Sequence, residues 1–313
     1  MNCADRTHGV SLPGMCAMVT LIAMSATVSA QTANAAQANP VALVRAAVAN
    51  EVAAANETAI KFMFRSRKQT PKGLQNRIYV EANEALATMV VGRNDQPLGP
   101  QEESAEANQL AGLANNPDQL RKKQARDQQE VEHTLCILKA LPDAFHYEYA
   151  GTEDSASGLG KAGDKLVRVK FTPNPSYSPP TRVEQVLQGM EGYLLIDPKS
   201  QRLARVDGTL FRDVTFGWGI FGRLDKGGHF RVQKADVGDG FWEITAMTLN
   251  FNGKILLIKS LSIVSDEVFS DFQRLPDNVP FAQGVELLKS QHVNLAHNSR
   301  PMETSLAKKD QGN

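Results

Sequence analysis

An α+β fold is predicted, in which a curved antiparallel β-sheet, an open half-barrel, packs on helices and carries an inserted helical hairpin. Three observations predict it. Short apolar or alternating segments recur between residues 61 and 91 and again between 145 and 258. Most connections between them are tight turns, too short for the crossover of about a dozen residues that a parallel pair requires. Between the two groups, residues 101–141 change to Gln, Ala, Glu and Lys with apolar positions at helical spacing.

The chain opens on an export signal. Residues 15–24 are apolar and run into Val28-Ser29-Ala30, the small-x-small pattern that signal peptidase accepts. The run fades into Ser25, Thr27 and Ser29 before reaching the roughly 20 apolar residues of a bilayer span. Arg6, beside Asp5, is the only cationic side chain ahead of it, and the free amino group adds the second positive charge. Cleavage after Ala30 predicts a periplasmic or secreted protein with no membrane span. It also removes Cys3 and Cys16 and leaves Cys136 alone. A single cysteine forms no internal disulfide, so the fold must stand on its own core.

Residues 1–30 are therefore read as signal peptide and 31–39, nearly all Ala, Gln and Asn, as a disordered leader. Residues 40–290 form one antiparallel-sheet domain with its helical insert at about 101–141, and 291–313 a polar disordered tail. Pro40 suits a first helical turn, and Val41, Val44, Val48 and Val52 then fall on one helical stripe. Strands follow at 61–67, 76–80 and 86–91. In the insert, Asn116-Pro117-Asp118 reads as a cap and first turn between two helices. The second of these is apolar only late, at Val131, Leu135, Leu138 and Leu141, so its earlier half is expected to project into solvent. Arg121, Lys122, Lys123 and Arg126 lie on that half, with Asp127, Glu130 and Glu132 placed to pair with them.

Strands resume at 145–149 and 165–171. Gly192–Ile196 and Arg202–Val206 flank the turn Asp197-Pro-Lys-Ser, and His229–Gln233 meets Phe241–Thr245 across Gly238-Asp-Gly240. Asn252-Gly253 is the strongest short hairpin signal, predicting a turn between Thr248–Phe251 and Lys254–Ile258. An amphipathic helix over 280–290 closes the domain.

Several chemistries are excluded. The 34 basic and 34 acidic residues balance, which leaves no electrostatic case for nucleic acid. Gly217-Trp-Gly-Ile-Phe-Gly222 spells G-x-G-x-x-G, but a hairpin follows where a βαβ unit is needed. No histidine pairs with His or Cys at a metal-ligand spacing, and no G-x-S-x-G elbow or Cys–His signature is present. Asp266, Glu267 and Asp271 read as surface carboxylates. The expectation is a protein that is not an enzyme, with no catalytic residue, metal or cofactor.

What remains is apolar. Phe216, Trp218 and Phe221 crowd a Gly-rich turn, Trp242 opens a strand leading through Ile244, and Leu257 lies in the run Ile255–Ile258. That run and Leu194-Leu195-Ile196 are apolar on both strand faces, so each face needs a cover. Phe216, Trp218, Phe221, Trp242, Ile244 and Leu257 are accordingly the candidate lining of an apolar cavity.

The segment Gly192–Val206, with Ile196-Asp197 opening a turn before Arg202-Leu203-Ala204-Arg205-Val206, resembles the strand–turn–strand of the periplasmic lipoprotein-sorting family, the LolA/LolB-like open β-barrels. The likeness covers residues 40–91 and 145–275 and excludes the helical insert. It implies a sheet wrapped around helices, with a cavity that holds the acyl chain of a lipid or lipoprotein. No binding residue of that family has a matching motif here. The alternative is a cell-envelope structural or interaction protein, with an envelope protein as its partner and no small-molecule ligand.

Overall fold

The computed structural model describes residues 39–57, 59–216, 222–255 and 259–298. The expected signal peptide and leader, Trp218, Phe221 and Leu257 lie outside them.

Helix α1 (Pro40–Asn56) starts where Asn39 accepts the Ala42 N–H at 2.9 Å, with Pro40 in the first turn. Its inward stripe is Val44, Ala47, Val48 and Glu51. Strands β1 (Phe62–Thr70), β2 (Gly73–Glu81), β3 (Leu86–Arg93) and the short β4 (Gln96–Pro97) form a meander. Helices α2 (Pro100–Ala114) and α3 (Pro117–Ala144) make the predicted hairpin, and Asn116 caps α3 by accepting the Gln119 N–H at 3.0 Å. Then come β5 (Phe145–Asp154), β6 (Lys165–Pro173), a 3-10 helix (Glu184–Gly189), β7 (Met190–Asp197) and β8 (Arg202–Leu210). The last group is β9 (Val214–Phe216), β10 (Gly222–Leu224), β11 (His229–Asp236), β12 (Trp242–Ile255), β13 (Lys259–Arg274) and helix α4 (Phe281–Asn298).

The strands form a single sheet in the order β4-β3-β2-β1-β13-β12-β11-β8-β7-β6-β5, with β9 and β10 attached beside β12. Every strand pairing among the described residues is antiparallel. The two ends of the order, β4 and β5, do not pair, so the sheet stays open. The α2–α3 hairpin spans from one of these edges to the other.

Helices gather over the two ends of this sheet. Helix α1 and the last turns of α3 seal a core with Val167, Val169, Leu194, Ile196 and Leu203 of β6–β8. Helix α4 seals a second core with Ile78, Val80, Ala87 and Met89, joined by Leu110 of α2 and Leu120 of α3. A third cluster puts Leu195 and Ala204 against Trp242, Leu166 and the loop residue Leu159. The triplet Leu194-Leu195-Ile196 is thus buried on both faces, and the second face is covered by the protein's own side chains.

Three expectations are corrected. Asn252-Gly253 is not a turn: β12 runs through it to Ile255 and pairs with β13, Gly253 lying opposite Leu261. The glycine answers a different need, because β10 passes so close that a Cβ at 253 would collide with the Arg223 carbonyl. The early half of α3 does not simply project. Leu120 packs into the second core and the Asp127 carboxylate accepts the Leu86 N–H at 3.1 Å, while the fully exposed stretch is residues 128–134. Val131, placed by its spacing on the docking stripe, is 49% exposed as a result. Glu267, read as a surface carboxylate, is buried.

Candidate functional site

Side chains alternate along a strand, so β1 and β2 each have two faces. Met63, Ile78 and Val80 point into the core beneath α4. Phe62, Phe64 and Tyr79 point the other way, where they meet Phe241 at the head of β12 and Phe269 and Phe272 of β13. Phe64 stacks on Tyr79 at 5.0 Å and on Phe272 at 5.3 Å, with Phe269 edge-on at 6.0 Å. Phe62 joins this group to Phe241 at 5.8 Å and to Phe272 at 6.3 Å. These are the offset and edge-to-face distances that aromatic quadrupoles favour. The six rings belong to none of the three core clusters, and Phe64, Phe241, Phe269 and Phe272 are only half-buried.

Polar groups border the row. On one side Glu267 is held by Ser66 Oγ at 2.7 Å, Lys68 Nζ at 2.9 Å and the Tyr79 hydroxyl at 3.0 Å. Burial alone would raise its pKa, but these three donors and the Lys68 charge outweigh burial and hold the carboxyl below its ordinary range. On the other side Glu81 accepts the Phe62 N–H at 2.8 Å, and burial pushes its pKa up. The Arg274 guanidinium lies 5.5 Å from the Phe241 ring.

A second set of charges adjoins Glu81. Glu51 of α1 accepts from Arg202 Nε at 2.7 Å and the Leu203 N–H at 3.1 Å, and it pairs with Lys234. Burial works against its ionisation, yet the two cations keep its pKa below the ordinary value. Glu243 has the opposite balance. Burial and the nearby Glu81 charge push it up to about 7, against weaker help from Lys234 and Arg202. Among the described residues no group of three or more His, Cys, Asp or Glu could hold a metal ion.

The candidate residues from the sequence are scattered. Trp242 is 5% exposed and fills the third cluster under the Arg202 guanidinium. Ile244 is 39% exposed. Phe216 packs half-buried on the core beneath α1. It pairs with Gly222, which in turn pairs with Ile255, at the far end of the 14-residue β12 from Trp242. At ~3.3 Å per residue that places Phe216 about 40 Å along the strand from Trp242.

With this geometry in view, comparison with known proteins adds little. No family model matches the sequence, and no curated protein matches it. Two solved structures align with it. One is a DUF1329 family protein from Desulfovibrio piger, at 8% identity and a TM-score of 0.22, covering 72% of this chain and 90% of the other. The second is MucB in complex with MucA(peri), at 8% identity and a TM-score of 0.19, covering 71% of this chain and 93% of the other. No helix among the described residues is long and apolar enough to cross a membrane.

The aromatic row was missed in the sequence because its members come from residues 62–79, 241 and 269–272, which meet only when β1 pairs with β13. The available signal was the alternation Phe62-Met63-Phe64, which puts two rings on one face.

Proposed function

We propose that this chain is an exported, non-enzymatic binding protein that holds the acyl chain of a lipid or lipoprotein against the aromatic row of β1, β2 and β13. The observation that carries this reading is the row itself: six rings linked by ring contacts, four of them only partly buried, outside every helix-sealed core. Surface of this kind gains about 25 cal/mol for each Å² of apolar ligand area removed from water. A saturated chain therefore needs few polar contacts to bind. Phe241 extends the row to the neighbour of Trp242, the sequence candidate nearest to it. Trp242 itself acts in this reading as a wall of the third cluster, and Phe216, about 40 Å away along β12, makes no first contact with the ligand.

The test is titration of the mature protein with a fluorescent fatty-acyl probe. Phe64→Ala combined with Phe269→Ala should weaken binding about tenfold or more, as expected from the loss of two half-exposed rings. Trp242→Ala should instead lower stability by about 3–5 kcal/mol, the range for emptying an aromatic core site. Wild-type protein that binds no probe at micromolar concentration removes the carrier reading and leaves an envelope interaction protein without a small-molecule ligand. Export is tested separately, by sequencing the N-terminus of protein from a periplasmic fraction, where Gln31 is expected.

A further inference from the structure

The face that carries the aromatic row does not end at β13. Glu267, joined to the row by the Tyr79 hydroxyl at 3.0 Å, lies opposite Met247 of β12. Met247 lies opposite Val232 of β11, Val232 opposite Val206 of β8, and Val206 opposite Leu194 of β7. Directly opposed residues share a face, so the row and the core beneath α1 are on the same side of the sheet. Helix α1 covers that side over β7 and β8, whereas α4 covers the other side over β2 and β3. Between them, Met247, Leu249, Val232 and Ile263 belong to none of the three core clusters. The first three are half-buried and Ile263 is 40% exposed.

Strand β12 alternates here, with Met247, Leu249 and Phe251 on this face and Thr248 and Asn250 on the other. A strand of that pattern has one solvated face and one that needs a cover. On β11, Phe230 shares the face of Val232, and its ring lies over Gly208 of β8, where a Cβ would collide with it. The glycine lets the ring lie across the strand, where it packs on the edge of the core beneath α1. Charges bound the crossing from the row to β12. Phe269, the next residue after Glu267 on this face of β13, is the diagonal neighbour of Met247, at about 7 Å. Glu267 with Lys68 borders one side of that crossing. Glu243, earlier on β12 and within electrostatic reach of Glu81 and Lys234, borders the other.

We propose that the site takes a single long acyl chain, laid across the strands from the aromatic row past Met247 and Val232 to Phe230. The inference rests on the acyl-binding reading of the row, and adds the path of the chain and the number of chains. From Tyr79 on β2 to Val232 on β11 the path crosses four strand spacings in the sheet order, about 19 Å at ~4.8 Å each. One leaflet's half of a bilayer core of roughly 30 Å is about 15 Å, so the path holds the full chain of a membrane lipid. A second chain alongside the first would have to lie over Glu267 or Glu243 and strip water from a carboxylate, which opposes its binding.

The test is a chain-length series on the mature protein, with octanoyl, dodecanoyl and hexadecanoyl probes that carry the same fluorophore. Binding should tighten at least about a hundredfold from octanoyl to hexadecanoyl, since each methylene taken from water gains up to about fourfold. Met247→Gln should weaken the hexadecanoyl probe about tenfold and leave the octanoyl probe within about twofold, because the short chain ends on the row. Val232→Thr should act in the same direction, and thermal melts check that both variants remain folded. On the unaltered protein, hexadecanoyl lysophosphatidylcholine should displace the probe at least about tenfold better than dioctanoyl phosphatidylcholine, which divides the same acyl carbons between two chains. Tightening with length, together with a Met247→Gln loss confined to the longer chains and a preference for the single-chain lipid, supports the proposal. Equal binding of octanoyl and hexadecanoyl probes, a Met247→Gln effect that is equal for both, or equal displacement by the two lipids overturns it and leaves the row as an acyl site. A protein that binds no probe of any length overturns both.

Discussion

The two faces of β1 and β2 carry similar amounts of apolar side chain and have opposite fates. On one, Ile78 and Val80 are 1% and 0% exposed beneath α4. On the other, Phe62 and Tyr79 are buried only by stacking with other rings, and Phe64, Phe269 and Phe272 remain partly exposed. Hydrophobic content alone does not distinguish a core from a binding surface. The cover does: a face that a helix docks on is closed, and a face that holds only its own rings keeps surface for something else.

The largest effect should come from loosening a helix on the covered part of the sheet. Glu51→Ala leaves Arg202 and Lys234 without their shared carboxylate, and breaking a buried ion pair from one side costs about 3–5 kcal/mol. Chemical denaturation of the variant measures this. The comparison itself is sharpened by a matched pair. Ile78→Ala should lose about 2–5 kcal/mol with acyl-probe affinity kept, whereas Phe64→Ala should lose about 1–2 kcal/mol with affinity reduced. Equal stability losses and equal affinities would erase the distinction between the faces.

A smaller effect separates the two acidic environments by pH. Glu243 has a folded-state pKa near 7, raised from its ordinary 4.5, so its ionisation is disfavoured by folding. Its stabilising contribution is complete below 4.5 and is lost as pH rises through about 7. Glu51 and Glu267, held low, contribute in the opposite sense, above 4.5 and fading as pH falls through their lowered values. Glu243→Gln should therefore flatten the decline in melting temperature between pH 4.5 and about 7, and an unchanged slope there would contradict the burial of Glu243 beside Glu81. The smallest effect belongs to the bridging part of α3. Val131→Ser should change stability by no more than about 0.5 kcal/mol, because the side chain is about half exposed and belongs to no core cluster.

Much of this fold is legible in the sequence. The α1 stripe, the α2–α3 hairpin with its Asn116 cap, and the turns at Asp197 and Gly238-Asp-Gly240 all follow from local periodicity and turn chemistry. Local signals mislead where their cause is non-local. Gly253 carries the letter of a hairpin turn, yet it is small because β10 crosses it. Val131 has helical spacing, but spacing cannot say where the sheet beneath a helix ends. Glu267 looks like a surface acid, and only its pairing register across β1 brings Lys68, Ser66 and Tyr79 to it.

By itself, then, the sequence determined the helices and most of the strands, since those depend on neighbours a few residues away, but not β13, whose largely polar residues 259–274 become a strand only between β1 and β12. The tertiary structure decided which apolar faces are closed. Strand β1 pairs with β13 some 200 positions later, and that one long-range pairing assembles the aromatic row and buries Glu267. Local propensity acts within a few residues of the chain, whereas burial is a property of what comes to lie on top.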